Sequence, residues 1–207
     1  MIRIRSSGAV VSPREFRLMH EPIIIPPVVS QADAEMFGAD VIAPTPSPDP
    51  GLFAVVESGE PEQIEGIWTQ TWTITPILVE QARAILHEQV AAERLRLERL
   101  GVPYVFPVDV AGTIQTRDDT DTRNIQGVVT TAMILQAQGV TDPVLEFRTA
   151  DNVNHALTPS QAIAMGMAVS AHVNALYSAK WTHDAAIEQL ADTVACAAYD
   201  TTTGWPE

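Results

Sequence analysis

Fifteen prolines fall so unevenly along the 207 residues that they partition the chain before any other feature is weighed. Proline fixes φ and carries no amide hydrogen, so a stretch rich in it is neither helix interior nor central strand. PIIIPPVV, with Pro22, Pro26 and Pro27, must run extended. PTPSPDPG, residues 44–51, has proline at alternate positions and reads as a stiff spacer, a boundary or loop between subregions. Only short elements fit around these pieces. IRIR and AVV flank Ser6-Ser7-Gly8 as a small hairpin, and Ser12-Pro13-Arg14-Glu15 is a capping box opening the brief helix EFRLMH. Ser30 caps QADAEMF, which Gly38 closes.

Two strands follow, LFAVVE (52–57) and IWTQTWTI (67–74), joined by the polar SGEPEQIEG. Alternation places Trp68, Gln70, Trp72 and Ile74 on one face of the second strand, an aromatic face suited to packing or to stacking a sugar. Thr75-Pro76 then opens the longest clear helix, stopped by Gly101 and Pro103. Val79, Ala82, Leu86, Val90, Glu93, Leu97 and Leu100 recur in steps of three or four, and only Glu93 is not apolar. This seam has coiled-coil spacing. At about 1.5 Å per residue the helix reaches roughly 37 Å, so it either crosses a larger layer of its own domain or pairs with copies of itself.

The last hundred residues read as hairpin, helix, hairpin, helix. YVFPVDVAGTIQT gives two strands around Ala111-Gly112, and DDTDTRNIQGVVTTAMILQAQG a helix with Ile125, Val128, Ala132 and Leu135 on one stripe. VLEF and VNHAL form a second hairpin, and Thr158-Pro159-Ser160-Gln161 opens a long helical region to about Tyr199, with a bend expected at Thr182. The connections are too short for parallel crossovers. The expected fold class is α+β. Residues 1–74 form a partner-docking region with its hairpin at 52–74, residues 75–100 a long connecting helix, and residues 101–207 a small antiparallel sheet with helices.

Composition narrows the function. With 46% apolar residues the chain can bury a core, no run of about 18 apolar residues marks a membrane span, and MIRIRSSG lacks a signal core, so a soluble protein made in the cytoplasm is expected. Twenty-six acidic side chains face twelve basic ones, a formal charge of −14, and the only lysine is Lys180. Nucleic acid is thereby an unfavourable partner. The histidines at 20, 87, 155, 172 and 183 never stand three to five apart, and Asp118-Asp119-Thr120-Asp121 lacks the glycine and distal glutamate of a calcium loop. Neither a phosphate loop nor a GxSxG elbow is present. His155 and His172 read as framework residues and Cys196 as a buried thiol. No catalytic, metal or cofactor residues are assigned.

GTIQTRDDTDTRNIQGVV, VLEFRTADN and HALTPSQAIAMGMAVSAHVNALYSAKW resemble the domain of unknown function, of the 4376 type, found in tailed-bacteriophage tail-fibre and tail-fibre-assembly proteins. Those proteins carry a WRTADN-like turn, an LT helix start and an H-V-x-A-L-Y stretch; here Phe147 replaces the tryptophan, while Thr149 to Asn152, Leu157-Thr158 and His172 to Tyr177 match. The N-terminal half is more loosely similar through Ile2 to Arg5, Glu15-Phe16-Arg17 and Gly66 to Trp72. The resemblance implies a non-enzymatic structural component of a phage tail, made in the host cytoplasm and carried in the virion, that attaches or assembles the fibre or baseplate. Its partner would be a tail-fibre or baseplate protein, with self-association, a trimer favoured. An assembly chaperone that leaves the particle is the alternative, and a glycan-binding module using Trp68 and Trp72 the second. The residues expected at the interface are Ile23, Ile24, Ile25, Val28 and Val29 in the extended segment, Trp68 and Trp72, and Leu86, Val90, Leu97 and Leu100 on the helix seam.

Overall fold

Every short element of the N-terminal region starts where a cap or turn residue puts it. The computed structural model describes residues 1–206, and its contacts divide into two units, Met1–Ile77 and Leu78–Glu207. In the first unit, β1 (Ile2–Ile4) pairs antiparallel with β2 (Val10–Val11), and α1 (Pro13–Met19) begins at Ser12. The Ser12 hydroxyl accepts from the Glu15 amide at 3.2 Å while the Glu15 carboxylate accepts from the Ser12 amide at 2.8 Å, so both orphan donors are satisfied. Ser30 and Asp33 repeat the arrangement at α2 (Gln31–Met36). An unexpected strand, β3 (Ala39–Val41), lies on the other side of β1, so that the order is β2-β1-β3. Ile2, Phe16, Ile25, Val29, Ala34 and Ala39 form the core beneath it. Asp40 is buried there, and Arg5, whose nearest nitrogen is 2.6 Å away, holds its carboxyl below the usual carboxylate range.

The expected long strand IWTQTWTI does not exist as one piece. β4 (Ala54–Ser58) pairs with β7 (Trp72–Pro76), but the connection between them contains its own hairpin, β5 (Glu62–Ile64) with β6 (Ile67–Thr69). The break falls at Gln70, which is buried; its amide nitrogen donates to the Ser58 hydroxyl at 2.6 Å and its backbone donates to the Ala43 carbonyl. Bonding of this buried amide nitrogen, which also donates to the Thr71 carbonyl at 2.7 Å, accompanies the break in alternation.

In the second unit, α3 (Val79–Leu100) starts four residues after Thr75, because Thr75 pairs with Val55 in the β4–β7 ladder. The Gln81 side chain instead accepts the Leu78 amide at 3.2 Å. Gly101 ends the helix at φ 89°, and a Cβ on it would stand 2.6 Å from the Ile114 carbonyl oxygen, so only glycine fits. β8 (Val102–Phe106) and β9 (Val110–Ile114) pair through a turn at 107–109, not at Ala111-Gly112 as expected. Asp118 caps α4 (Asp119–Ala137) by accepting the Thr120 and Asp121 amides, the dipole role expected of that acidic run.

β10 (Leu145–Arg148) and β11 (Asn154–Leu157) make the second hairpin, and the Thr158–Gln161 capping box opens α5 (Pro159–Ile187). That helix runs straight through Thr182, whose hydroxyl donates to the Ser178 carbonyl at 3.0 Å and so needs no cap of its own. The chain breaks only later, and Asp192 caps α6 (Thr193–Ala198). The two hairpins remain separate two-stranded sheets rather than one small sheet. They touch through the Ala150 amide, which donates to the Thr113 carbonyl, and through Phe106, whose ring stacks on His155 with centroids 3.9 Å apart. Val102, Phe106, Ile114, Ile125, Ala132, Leu157, Met165 and Val169 form the core between hairpins and helices. Among the described residues no helix is long and apolar enough to cross a membrane.

Candidate partner interface

Proline chemistry shapes the most exposed apolar segment of the first unit. Pro22, Pro26 and Pro27 lack amide donors, so residues 22–29 cannot enter a sheet and are pinned by few contacts: the Ile23 amide donates to the His20 carbonyl at 2.9 Å, and Arg17 donates to the Pro27 carbonyl at 2.7 Å. Ile25 and Val29, four residues apart, turn into the core of the unit, which corrects their expected place at an interface: they cluster with Ile2, Phe16, Ala34 and Ala39. Their neighbours point out. Ile24 is 96% exposed, Val28 85% and Ile23 55%. Two buried anchors thus hold three apolar side chains in water.

Trp68 and Trp72 do not share one open face. They belong to different strands, each half-buried. The Arg3 guanidinium lies 4.0 Å above the Trp68 ring, a cation–π contact that covers one stacking surface, and the Trp72 indole N–H donates to Thr45 Oγ1 at 3.0 Å.

On α3, Leu86 and Val90 are fully buried where the helix packs on α5 and α6, so the first half of the seam is interior to its own unit and offers no surface to a copy. Leu97 is half-buried. Leu100, at the helix end, is 63% exposed. A second apolar surface, invisible in any single stretch of sequence, is the groove between α4 and α5, where Met133 and Met167 are exposed beside Val129 and Ile163. Gly166 lets the two helices approach, since a Cβ there would meet Val129 Cγ2 at 2.4 Å.

The titratable groups are largely occupied with structure. His155 and the buried Thr149 hydroxyl are 3.3 Å apart; that hydroxyl donates to the Val153 carbonyl at 3.0 Å, which leaves the histidine Nε2 as donor. His183 Nε2 donates to the Thr203 carbonyl, its Nδ1 accepts from the Tyr199 hydroxyl at 2.7 Å, and Trp205 stacks on its ring, so residues 199–205 fold back onto α5. Cys196 is a buried free thiol. No group of three or more His, Cys, Asp or Glu among the described residues is placed to hold a metal ion.

His87 joins α3 to α5. Its Nδ1 lies 2.9 Å from Asp184 and its Nε2 3.0 Å from Glu188; Lys180 also reaches Asp184, and Arg83 stands 3.9 Å from Glu188. A neutral imidazole has one N–H and would leave one carboxylate facing a lone pair. Burial pushes the His87 pKa down, but the bonds and charges of Asp184 and Glu188 outweigh it and hold the group above its ordinary value. Burial likewise opposes ionisation of Asp184, and Lys180 and His87 outweigh it and lower that pKa. A raised histidine contributes stability that is complete below its unfolded value of about 6.5 and fades as pH rises through the folded value; the aspartate's contribution is present above about 3.9 and fades on acidification. His87→Gln is therefore expected to lower the melting temperature most between about pH 4 and 6.5, with the gap to the parent protein narrowing as pH climbs towards 8. A gap independent of pH in thermal melts would mean that His87 acts by packing alone.

A family model described as "Domain of unknown function (DUF4376)" matches residues 81–203, well over half of the chain and nearly all of the second unit. No curated protein and no solved structure matches the sequence.

Proposed function

The chain belongs to the DUF4376 family, and from that premise we propose that it is a non-enzymatic structural component of a bacteriophage tail, mediating attachment or assembly of the tail fibre or baseplate. The observation that carries the reading is the anchored extended segment, in which Ile25 and Val29 fasten the chain while Ile24, Val28 and Ile23 face water. Exposed apolar side chains on a pre-ordered backbone favour docking, because little chain entropy is lost when a partner covers them. The tail as the setting rests on the RTADN, LT and HVNALY motifs, which resemble those of tail-fibre and tail-fibre-assembly proteins. In this reading the protein acts in the virion as a homo-oligomer, a trimer favoured, with the exposed Leu100 and half-buried Leu97 near the contact between copies.

The test is co-expression with the fibre and baseplate proteins of the same phage, followed by affinity capture. The parent protein is expected to retain one of them, whereas Ile24→Asp with Val28→Asp should lose it. Exposed positions usually shift stability by less than about 0.5 kcal/mol, so the double variant should melt with the parent. Capture unaffected by the two aspartates would sink the docking surface. Mass spectrometry of purified virions then separates the roles: a retained protein is a component, and one that binds the fibre yet is absent from particles is an assembly chaperone.

A further inference from the structure

We propose that the cleft between α4 and the β10–β11 hairpin is a binding site for an oxyanion of low charge, a carboxylate or phosphate group borne on a polar ligand. The cleft, about 690 Å³, is lined by Arg117, Arg123 and Arg148 together with Gln115, Asn124 and Asn152. Three of the chain's twelve basic residues therefore meet at one concavity of a protein with a formal charge of −14. Arg117 lies just before the cap of α4, Arg123 in the second turn of that helix and Arg148 at the end of β10.

Two of these arginines have no carboxylate partner among the described residues. Arg117 is taken up by Asp121, with Nε to Oδ2 at 2.9 Å, and is held further by Gln115. Arg123 makes only a long contact to the Thr120 hydroxyl at 3.5 Å, and Arg148 donates Nε to the Asn152 side chain at 3.3 Å. Asn152 sits at φ 65° in the turn that follows β10, a conformation asparagine tolerates, and the Thr149 hydroxyl closes that turn on the Val153 carbonyl. The RTADN motif thus orients a guanidinium whose terminal nitrogens are unused. Asp121 is already paired, and Glu146, the other acid at the cleft, forms no ion pair among the described residues.

Guanidinium forks match the planar geometry of carboxylate and the oxygens of phosphate, and the neighbouring amides and threonines add donors for a hydroxylated or amide-bearing scaffold. The total charge sets the size of the ligand. At physiological salt a charge is screened beyond about 8 Å, so a small anion feels the local arginines, whereas a long polyanion also meets the acidic remainder.

Titration of the full chain with succinate and with inorganic phosphate, followed by amide NMR at constant ionic strength, tests this. Saturable shifts confined to residues 115–124 and 145–152 with either anion are expected, and the stronger of the two identifies the oxyanion. Arg148→Gln should weaken binding about tenfold or more, Arg148→Lys by less, and Arg99→Gln, an exposed arginine outside the cleft, not at all. Shifts that grow linearly with both anions, or that saturate equally well in the Arg123→Gln/Arg148→Gln double variant, would overturn the proposal. It stands apart from the tail reading, which neither result affects.

Discussion

Leu86→Asp is expected to unfold the second unit. Leu86 is fully buried on the face of α3 that packs against α5 and α6, one turn from the equally buried Ala82 and Val90. Removing a buried leucine costs roughly 2–5 kcal/mol, and a carboxylate put in its place adds several kcal/mol for the burial of its charge. The sum approaches the whole stability of an ordinary domain, about 5–15 kcal/mol. Far-ultraviolet circular dichroism should show loss of helix at 25 °C. Leu97→Asp, at a half-buried position on the same seam, is expected to lower the melting temperature while leaving the fold intact. A folded, monomeric Leu86→Asp protein derived from an oligomeric parent would mean that this face meets a copy and not α5.

Phe106→Ala should have the next largest effect, a loss of about 3–5 kcal/mol. The Phe106 ring stacks on His155 at 3.9 Å, meets Tyr104 edge-on at 4.9 Å and lies 6.3 Å from Phe147, so it joins β8 to the β10–β11 hairpin, with which β8 shares no ladder. Truncation would remove ring contacts and open a cavity where two hairpins, each marginal alone, meet. Hydrogen exchange is the sharper readout: the Ala150 amide, which bonds across to Thr113, should lose protection before the amides of α5. If Phe106→Ala melted within a degree or two of the parent, the hairpins would be held by the helices alone.

Local chemistry made much of this legible in the amino-acid sequence. Ser12, Ser30 and Thr158 each start a helix through a box whose two halves lie three residues apart, and Gly38 and Gly101 end helices, so no distant contact is needed to see them. What stayed hidden depends on partners far along the chain. β3 is three residues without alternation and exists because β1, some 37 residues earlier, accepts it. The break at Gln70 requires Ser58 and Ala43. The turn at 107–109 places Val108 and Asp109 at φ 63° and 59°, where glycine or asparagine would have announced it, and the glycine that is present, Gly112, is needed instead for its closeness to Phe106. The same holds for the candidate surfaces. Exposure of Ile24 followed from the prolines, but burial of Ile25, Leu86 and Val90 follows only from what they face, and nothing in the sequence joins Arg148 to Arg117 and Arg123 at the start of α4.

The bond from Arg83 on α3 to the Leu190 carbonyl closes a loop of 107 residues, whereas the β8–β9 ladder begins at a three-residue turn. Long loops cost more entropy to close and repay it only once their ends are prepared, so the expected order has the hairpins and the α4–α5 pair in the folding nucleus and α3 docking after the barrier. Stopped-flow rates would then separate two mild core substitutions, with Phe106→Leu slowing refolding and Leu86→Ala hastening unfolding; the reverse assignment would place α3 in the nucleus.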